Sequence, residues 1–369
     1  NVLYNTDCLA NHMKRQAVAL LKRLTEAHGA PGDEGMVRDI VAAELTGTPT
    51  FDRTGSIIHE YSGSRKTPRV MIEAHMDEVG FVVRSITREG LLRFVPVGGW
   101  WGHTLLAQRV RVRTSAGQEL TGIIAAKPPH LLRPGEREKV LKLDQMYIDI
   151  GAANRDAVAK LGIAIGDTVV PDTPFTHLAH TNCYAAKAFD NRVGVGMLIQ
   201  ATQALQEAKH PNTLIAVGTT QEEVGIRGAR TATRVADPDV AIVLEGPPAD
   251  DLPGSIADEN QGVLGKGVQI RMMDPSAISN RPLVNFVIQT AVASKIPHQL
   301  AVRRSGGTDA KEIHLHGIGV PTVVIGVPAR YIHTHNSIID INDYLAGVKL
   351  VTALIRKLDK KAAAGFVKF

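Results

Sequence analysis

Residues 69–77, Arg-Val-Met-Ile-Glu-Ala-His-Met-Asp, form the stretch from which the fold is read: an apolar run that ends directly in His75 and, two residues on, Asp77. An apolar run with little alternation reads as a strand covered on both faces. Similar runs recur at residues 213–219 (TLIAVGT), 240–244 (VAIVL), 267–272, 299–302 and 322–325. Between them, helical spacing appears at 191–207, 227–235, 283–294, 309–315 and 341–357. Such alternation predicts an α/β fold, a sheet with helices on both faces. Upstream, Ala17, Leu20, Leu21 and Leu24 lie at helical spacing within residues 14–27, and Gly29-Ala-Pro-Gly32 ends that helix. Asp33 is then the expected N-cap of a second helix running to about Leu45.

The pattern changes after Gly80. Short β-like runs at 81–83, 109–113 and 122–125 are separated by Gly98-Gly99, Pro128-Pro129 and Pro134-Gly135. This is the pattern of a small barrel or sandwich. Because the α/β alternation resumes later, the β-rich part is expected as an insertion, residues 80–176, into one domain made of 1–79 plus 177–369. A chain of 369 residues is long enough for two domains.

Composition excludes several functions. Charged residues make up 21% and hydrophobic ones 44%, the balance of a globular protein. The net charge is +5, but Lys and Arg are spread along the chain, with the longest cluster in the tail at 357–361. With only 4% aromatics as well, no nucleic-acid surface is expected. No run of about 18 apolar residues is present, so no membrane span is expected. Residues 1–14 show no apolar core of a signal peptide. The two cysteines, Cys8 and Cys183, stand far apart and outside any CxxC motif, which points to a reducing, cytoplasmic compartment.

In an open α/β sheet, ligands bind beyond the carboxyl ends of the strands. Those ends carry His75-Met-Asp77, then Gln221-Glu222-Glu223, then Glu245-Gly246, then His333-Thr-His335; Asp190, in Lys187-Ala-Phe-Asp-Asn-Arg192, opens a helix. Imidazoles mixed with carboxylates suit zinc, cobalt or manganese, and two cysteines leave no thiolate site. Two metals about 3.5–4 Å apart need a bridging ligand, and a short Asp at a helix start can give one oxygen to each. Asp77 is placed to accept the second ring N–H of His75. Neighbouring residues in an extended segment point opposite ways, so one of Glu222 and Glu223 can bind metal while the other acts as general base. Taken singly, each piece has an ordinary explanation: His-x-Asp arises by chance, Glu-Glu pairs are common on surfaces, and Gly306-Gly307 reads as a turn. Gly194-Val-Gly196 and the glycines at 262, 265 and 267 lack the dinucleotide-binding spacing and read as packing or turn residues.

These residues fall in the stretches EAHMDEVGFVV, KAFDNRVG, TTQEEVGIRGA, SGGTDA with GVPTVVIG, and RYIHTH, which run in order from residue 73 to 335. Together they resemble the tetrahedral, or glutamyl, aminopeptidase family, some members of which were once labelled endoglucanases. The resemblance implies a three-layer α/β/α zinc-peptidase-type catalytic domain, with the inserted β-rich domain serving assembly. It also implies a homo-oligomer in which dimers build a tetrahedral dodecamer around the active sites. Carried over, the family's ligands to two divalent ions fall on His75, Asp190, Glu223, Glu245 and His333. Its base falls on Glu222, and the residue orienting the first histidine on Asp77. Where the family commonly has Asp, this chain has Glu245; His335 is the second choice to His333.

The function so implied is metal-dependent removal of N-terminal residues from short peptides. Rival readings are a deacylase or carboxypeptidase on a related fold, and a non-catalytic, metal-free homologue. Glycoside hydrolysis is disfavoured, because carboxylates committed to metal leave no free acid and nucleophile pair.

Overall fold

The computed structural model describes residues 2–206 and 208–368, with residues 2–10 described by backbone alone. Helices α1 (Val2–Glu26) and α2 (Gly35–Glu44) come first, followed by strands β1 (Thr50–Phe51), β2 (Ile57–Ser62) and β3 (Arg69–His75). The chain then leaves for six strands: β4 (Gly80–Ile86), β5 (Leu92–Val97), β6 (Arg109–Arg113), β7 (Glu119–Ala125), β8 (Tyr147–Asp149) and β9 (Thr168–Pro171), with α3 (Arg155–Lys160) before the last. These six close into a barrel in the order β4-β5-β8-β7-β6-β9. Its interior is filled by Phe81, Val83, Leu92, Val110, Val112, Ile148 and Val169.

After the barrel come β10 (Thr176–His177), β11 (Cys183–Ala186), α4 (Phe189–Gln206), β12 (Thr213–Thr219), α5 (Arg227–Ala236), β13 (Val240–Glu245) and β14 (Val268–Met273). The chain ends with α6 (Arg281–Ala293), β15 (His298–Val302), α7 (Ala310–Ile313), β16 (Thr322–Gly326), β17 (Ser337–Asp340), α8 (Ile341–Lys357) and α9 (Lys360–Gly365). The main sheet has the order β1-β2-β12-β3-β13-β16-β14-β15, and β10, β11 and β17 form a small second sheet. Neighbours β12, β3, β13 and β16 are parallel, so their carboxyl ends share one rim.

Strand alternation builds the three layers. On β12, Leu214 and Ala216 pack with α1, α4 and α8, while Ile215 and Val217 pack with Ala229, Ala232 and Ala236 of α5. On β13, Val240, Ile242 and Leu244 face the first layer; Ala241 and Val243 face the second. The result is an α/β/α sandwich carrying a barrel, as the sequence implied.

Three local features depart from the sequence reading or lie beyond it. Asp33 does not cap α2: Glu34 holds that position, and Asp33 binds Arg113 and Thr168 of the barrel at 2.5 and 2.7 Å. Strand β2 was not foreseen; it lies antiparallel against β12, with a burial pattern too uneven to stand out in sequence. Of the two tryptophans, Trp100 and Trp101, only Trp101 is exposed, at 66%. Trp100 stacks on Phe81 at 4.7 Å and donates its indole N–H to Gly80 O.

Candidate metal centre

His75 is the last residue of β3 and is paired in register with Thr219, the last of β12. Glu245 ends β13. The turn after β12 carries Glu222 and Glu223, and the loop after β16 carries His333. Asp190 adopts φ −83° and ψ 103°, extended rather than helical. The regular helix begins after it, where Asn191 Oδ1 accepts the Gly194 N–H at 3.0 Å. Asp190 comes this close to the β13 end because residue 246 is glycine: a Cβ there would lie 2.8 Å from Phe189 O and 2.9 Å from Asp190 Cα.

Asp190 stands at the middle of the cluster. Its Oδ1 lies 3.3 Å from His75 Nε2 and its Oδ2 lies 3.4 Å from His333 Nε2. Glu245 Oε2 is 3.9 Å from His75 Nε2, and Glu223 Oε1 is 3.4 Å from His333 Nε2. Two sets thus converge through one aspartate: His75, Asp190 and Glu245, and Asp190, Glu223 and His333, with donor atoms within 4.8 Å of one another in each set. Glu222, whose Oε2 lies 4.0 Å from His75 Nε2, is outside the two sets that share Asp190 but forms a third set of the same compactness with His75 and Glu223.

The donors are turned the right way for a cation. His333 Nδ1–H donates to Gly99 O at 2.9 Å, which leaves the Nε2 lone pair facing the two carboxylates. Glu223 Oε1 is buried with no hydrogen-bond donor among the described residues. Such an oxygen fits a metal better than it fits an empty neighbourhood. His335 is not part of the cluster; it is buried against Trp100, with ring centroids 5.4 Å apart.

Asp77 does more than face an imidazole. It lies 3.5 Å from His75 Nδ1, a charge contact longer than a well-formed hydrogen bond. Its two oxygens accept the backbone N–H groups of Glu222 and Glu223, each at 3.0 Å. Glu34 Oε1 accepts the N–H of Gln221 at 3.1 Å. Three successive amides of this turn are therefore held by carboxylates from distant segments. The surrounding loops also concentrate left-handed, non-glycine backbone at Ala188, Gln221, Ile226, Tyr331 and His333. Each such residue costs about 1–3 kcal/mol and persists only where its surroundings fix it.

Burial sets the charge balance. It pushes Glu223 and Glu245 up to about 8 and Glu222 well above the usual carboxylate range, against the opposing pull of nearby histidines. Burial alone would lower His75 and His333, yet their contacts to Asp190 raise His75 well above its usual value and His333 to about 9. The same two imidazoles hold Asp190 below the usual range despite its burial. So many acids crowded together are stabilised by added positive charge. The sequence reading missed the Gly99 carbonyl, because the Gly98-Gly99 doublet reads only as a break between strands.

Comparison with known proteins gives the same direction. The family model described as M42 glutamyl aminopeptidase matches residues 55–350. A glutamyl aminopeptidase of Lactococcus lactis is 38% identical over 93% of this chain and 97% of its own length. A TET aminopeptidase structure from a marine sediment archaeon superposes with TM-score 0.92 at 42% identity, covering 96% of this chain and 99% of that one. The TET1 peptidase of Pyrococcus horikoshii, described as assembling into a tetrahedron or a large octahedral shell, matches with TM-score 0.83 and 32% identity, over 93% of this chain and 100% of that one.

Proposed function

The chain belongs to the M42 glutamyl aminopeptidase family, and from that premise we propose that it is a two-metal aminopeptidase removing N-terminal residues from short peptides. The observation that carries this is Asp190, with one oxygen toward each histidine of two separate donor sets. In this reading His75 and Glu245 would hold one divalent ion and Glu223 and His333 the other, with Asp190 available to both. Zinc and cobalt suit these donors best, with manganese next. Bound there, the two ions would supply Lewis-acid polarisation of the scissile carbonyl and a more acidic water.

The protein's own residues do the rest. Glu222 lies outside the two sets joined by Asp190, although it borders His75 and Glu223, and there it would act as a base that takes the water's proton and returns it to the departing amine. Asp77 acts through the backbone it holds, fixing both glutamates at once. The Gly99 carbonyl, which lies between the barrel strand β5 and the exposed Trp101, fixes the tautomer of His333.

The exposed Trp101 and the assembled relatives support a homo-oligomer of dimers building a dodecamer, with the barrel, residues 80–176, as the assembly domain. The scarcity of cysteine supports a cytoplasmic setting. Analytical ultracentrifugation showing only monomer at micromolar concentration removes the assembly proposal.

The activity is tested by comparing a short peptide with its N-acetylated form, after adding zinc, cobalt or manganese. The free α-amine is expected to be required, since acetylation removes a charge and adds bulk in a closed site. Equal turnover of the two peptides would replace this reading with the deacylase or endopeptidase one.

A further inference from the structure

Glu34 stands at the start of α2 and is 4% exposed, yet its side chain caps nothing in that helix. An acceptor at that position would ordinarily take the free amides of the first turn. This one turns away from them. Its Oε1 accepts the Gly32 N–H at 2.8 Å and the Gln221 N–H at 3.1 Å, the second from a residue 187 positions along the chain. Burial, with the Asp77 charge beside it, pushes Glu34 up to about 7, so the acid is held there at a cost that the two amides only partly offset.

The bond to Gln221 falls where the chain turns off β12 toward the centre. Gln221 has φ 57°, in the left-handed region, and Glu222 follows it directly. The carbonyl side of this turn is tied within itself: Gln221 O accepts the Arg227 N–H, and Glu222 O accepts the Gly225 and Ile226 N–H groups. The amide side is not. Among the described residues, the N–H groups of 221, 222 and 223 reach only Glu34 and Asp77. Left-handed backbone at a residue with a side chain persists only where its surroundings fix it. At Gln221 the fixing group on the amide side is Glu34.

The residue before Glu34 holds the barrel. Asp33 Oδ1 accepts from Arg113 Nη1 on β6 at 2.5 Å, and its Oδ2 accepts the Thr168 O–H on β9 at 2.7 Å. Successive side chains therefore grip barrel and turn, with a single peptide unit between them. The barrel already reaches the centre once, through Gly99 and His333; this is a second reach, to the turn that carries the glutamates. We infer that Asp33 and Glu34 form a positioning strut, through which the seating of the barrel sets the direction of the proposed base, Glu222. Neither residue touches the reacting atoms. The inference rests on the aminopeptidase reading for the role of Glu222, while the strut itself is read from the backbone it holds, without turnover.

The test uses the full-length protein, metal-loaded and metal-free, and two readouts. One is kcat and KM on a short peptide, beside metal content; the other is amide hydrogen exchange followed by mass spectrometry. Glu34→Ala is expected to lower kcat by about 10- to 100-fold, the cost of a small misplacement of a catalytic group, with metal content unchanged and KM within about 3-fold. Glu34→Gln keeps an acceptor oxygen and should recover most of the loss, since a neutral acceptor is about half as strong as a charged one. Arg113→Met, on a barrel strand away from the centre, should lower kcat by about 3- to 10-fold and add nothing in the Glu34→Ala background. Exchange should rise in peptides spanning 219–226 in Glu34→Ala and Arg113→Met, with and without metal, and stay unchanged in β13 and β16.

Unchanged kcat in Glu34→Ala overturns the strut, as do losses that add up in the double variant. Exchange that rises evenly over the domain, or metal lost with the turn still protected, marks a merely structural role and overturns it too. Should Glu34→Ala fail to fold, Arg113→Met still reads the strut through exchange at 219–226. If no free-amine substrate is hydrolysed, the aminopeptidase reading fails by itself. Exchange then decides the strut alone: a rise confined to 219–226 supports it, and no rise there overturns it.

Discussion

Two clusters of buried charge draw on the same two short segments, around residues 75–78 and 187–192, and they are built in opposite ways. On one side Glu78 sits between Lys187 and Arg192, which reach it at 2.5 and 3.1 Å. Lys187 also donates to Ala27 O and Arg192 to Leu24 O, so both cations have a carboxylate and a carbonyl, with Arg192 Nε alone left without a partner among the described residues. On the other side His75, Asp77 and Asp190 face Glu222, Glu223 and Glu245, where acids outnumber partners and at least one oxygen is orphaned. One residue step in the chain, from Asp77 to Glu78, separates the two. The first cluster closes on itself and joins α1 to α4; the second is left open toward cations. Two cations on one carboxylate, tied off by backbone carbonyls, make a fastener, and acids gathered around two imidazoles make a site open to cations.

The largest effect that would break this contrast lies at Glu222. Glu222→Gln keeps size but accepts no proton, so kcat should fall by about 10²–10⁴ while two metals per subunit remain bound. Glu223→Gln removes a ligand instead, so metal affinity should fall and excess metal should restore part of the activity. Metal content by mass spectrometry beside turnover decides between them. Loss of metal from Glu222→Gln with full retention in Glu223→Gln reverses the two roles.

Next comes the closed cluster. Glu78→Gln leaves Lys187 and Arg192 buried without a carboxylate, a change that typically costs about 3–5 kcal/mol. Burial already brings Lys187 down to about 8, against the pull of Glu78, which shows how little margin the ammonium has. Denaturant unfolding should show the loss, while folded Glu78→Gln still binds two metals per subunit. Unchanged stability with lost metal would mean that the two clusters are one unit.

That contrast also explains how far the sequence could be read. The centre was legible because β3, β12, β13 and β16 are parallel and end on one rim, so residues at strand ends could be gathered without knowing their partners. Helix α8 (Ile341–Lys357) carried its own periodicity and was placed to the residue. What stayed hidden depends on contacts across long distances. The Gly99 carbonyl acts on a histidine 234 residues away, and backbone atoms leave no mark in a sequence. Asp33 looked like a cap because its neighbours are helical, but an arginine from the barrel, Arg113, had the stronger claim on it.

Asp77 sharpens the comparison on a smaller scale, since it accepts two backbone amides and lies outside the donor sets. Asp77→Asn replaces one acceptor oxygen by an NH₂ group that opposes the Glu222 or Glu223 N–H. Loss of such a supporting partner commonly costs 10- to 100-fold in metal affinity or activity. Excess metal should recover part of it, because the ligands themselves remain. Unchanged activity and metal affinity would show that the turn holds its shape without Asp77.

The smallest expected effect lies where the barrel meets the main domain and concerns a third kind of buried group, one kept neutral. His28 is fully buried, with Nε2 2.8 Å from Thr168 Oγ1, and Thr168 donates onward to Asp33. Asp33 and Glu119 lie 3.4 and 3.7 Å from the ring and would favour its charged form. Both are already paired, with Arg113 and Arg111. Burial therefore dominates, the nearby cations Lys187, Arg113 and Arg111 add to it, and His28 is pushed down to about 2 from 6.5. In the unfolded chain the imidazole takes up a proton below pH 6.5, whereas in the folded chain it does not. The unfolded state thus binds more protons, and stability falls as pH drops from 6.5 toward 2, by about 1.4 kcal/mol per unit for this one group. Denaturant unfolding at pH 7, 6 and 5, on wild type and His28→Gln, isolates it from the metal ligands, which titrate in both. The wild type should lose more stability per pH unit than the variant; parallel slopes would mean that His28 is protonated in the folded protein and belongs with the paired charges.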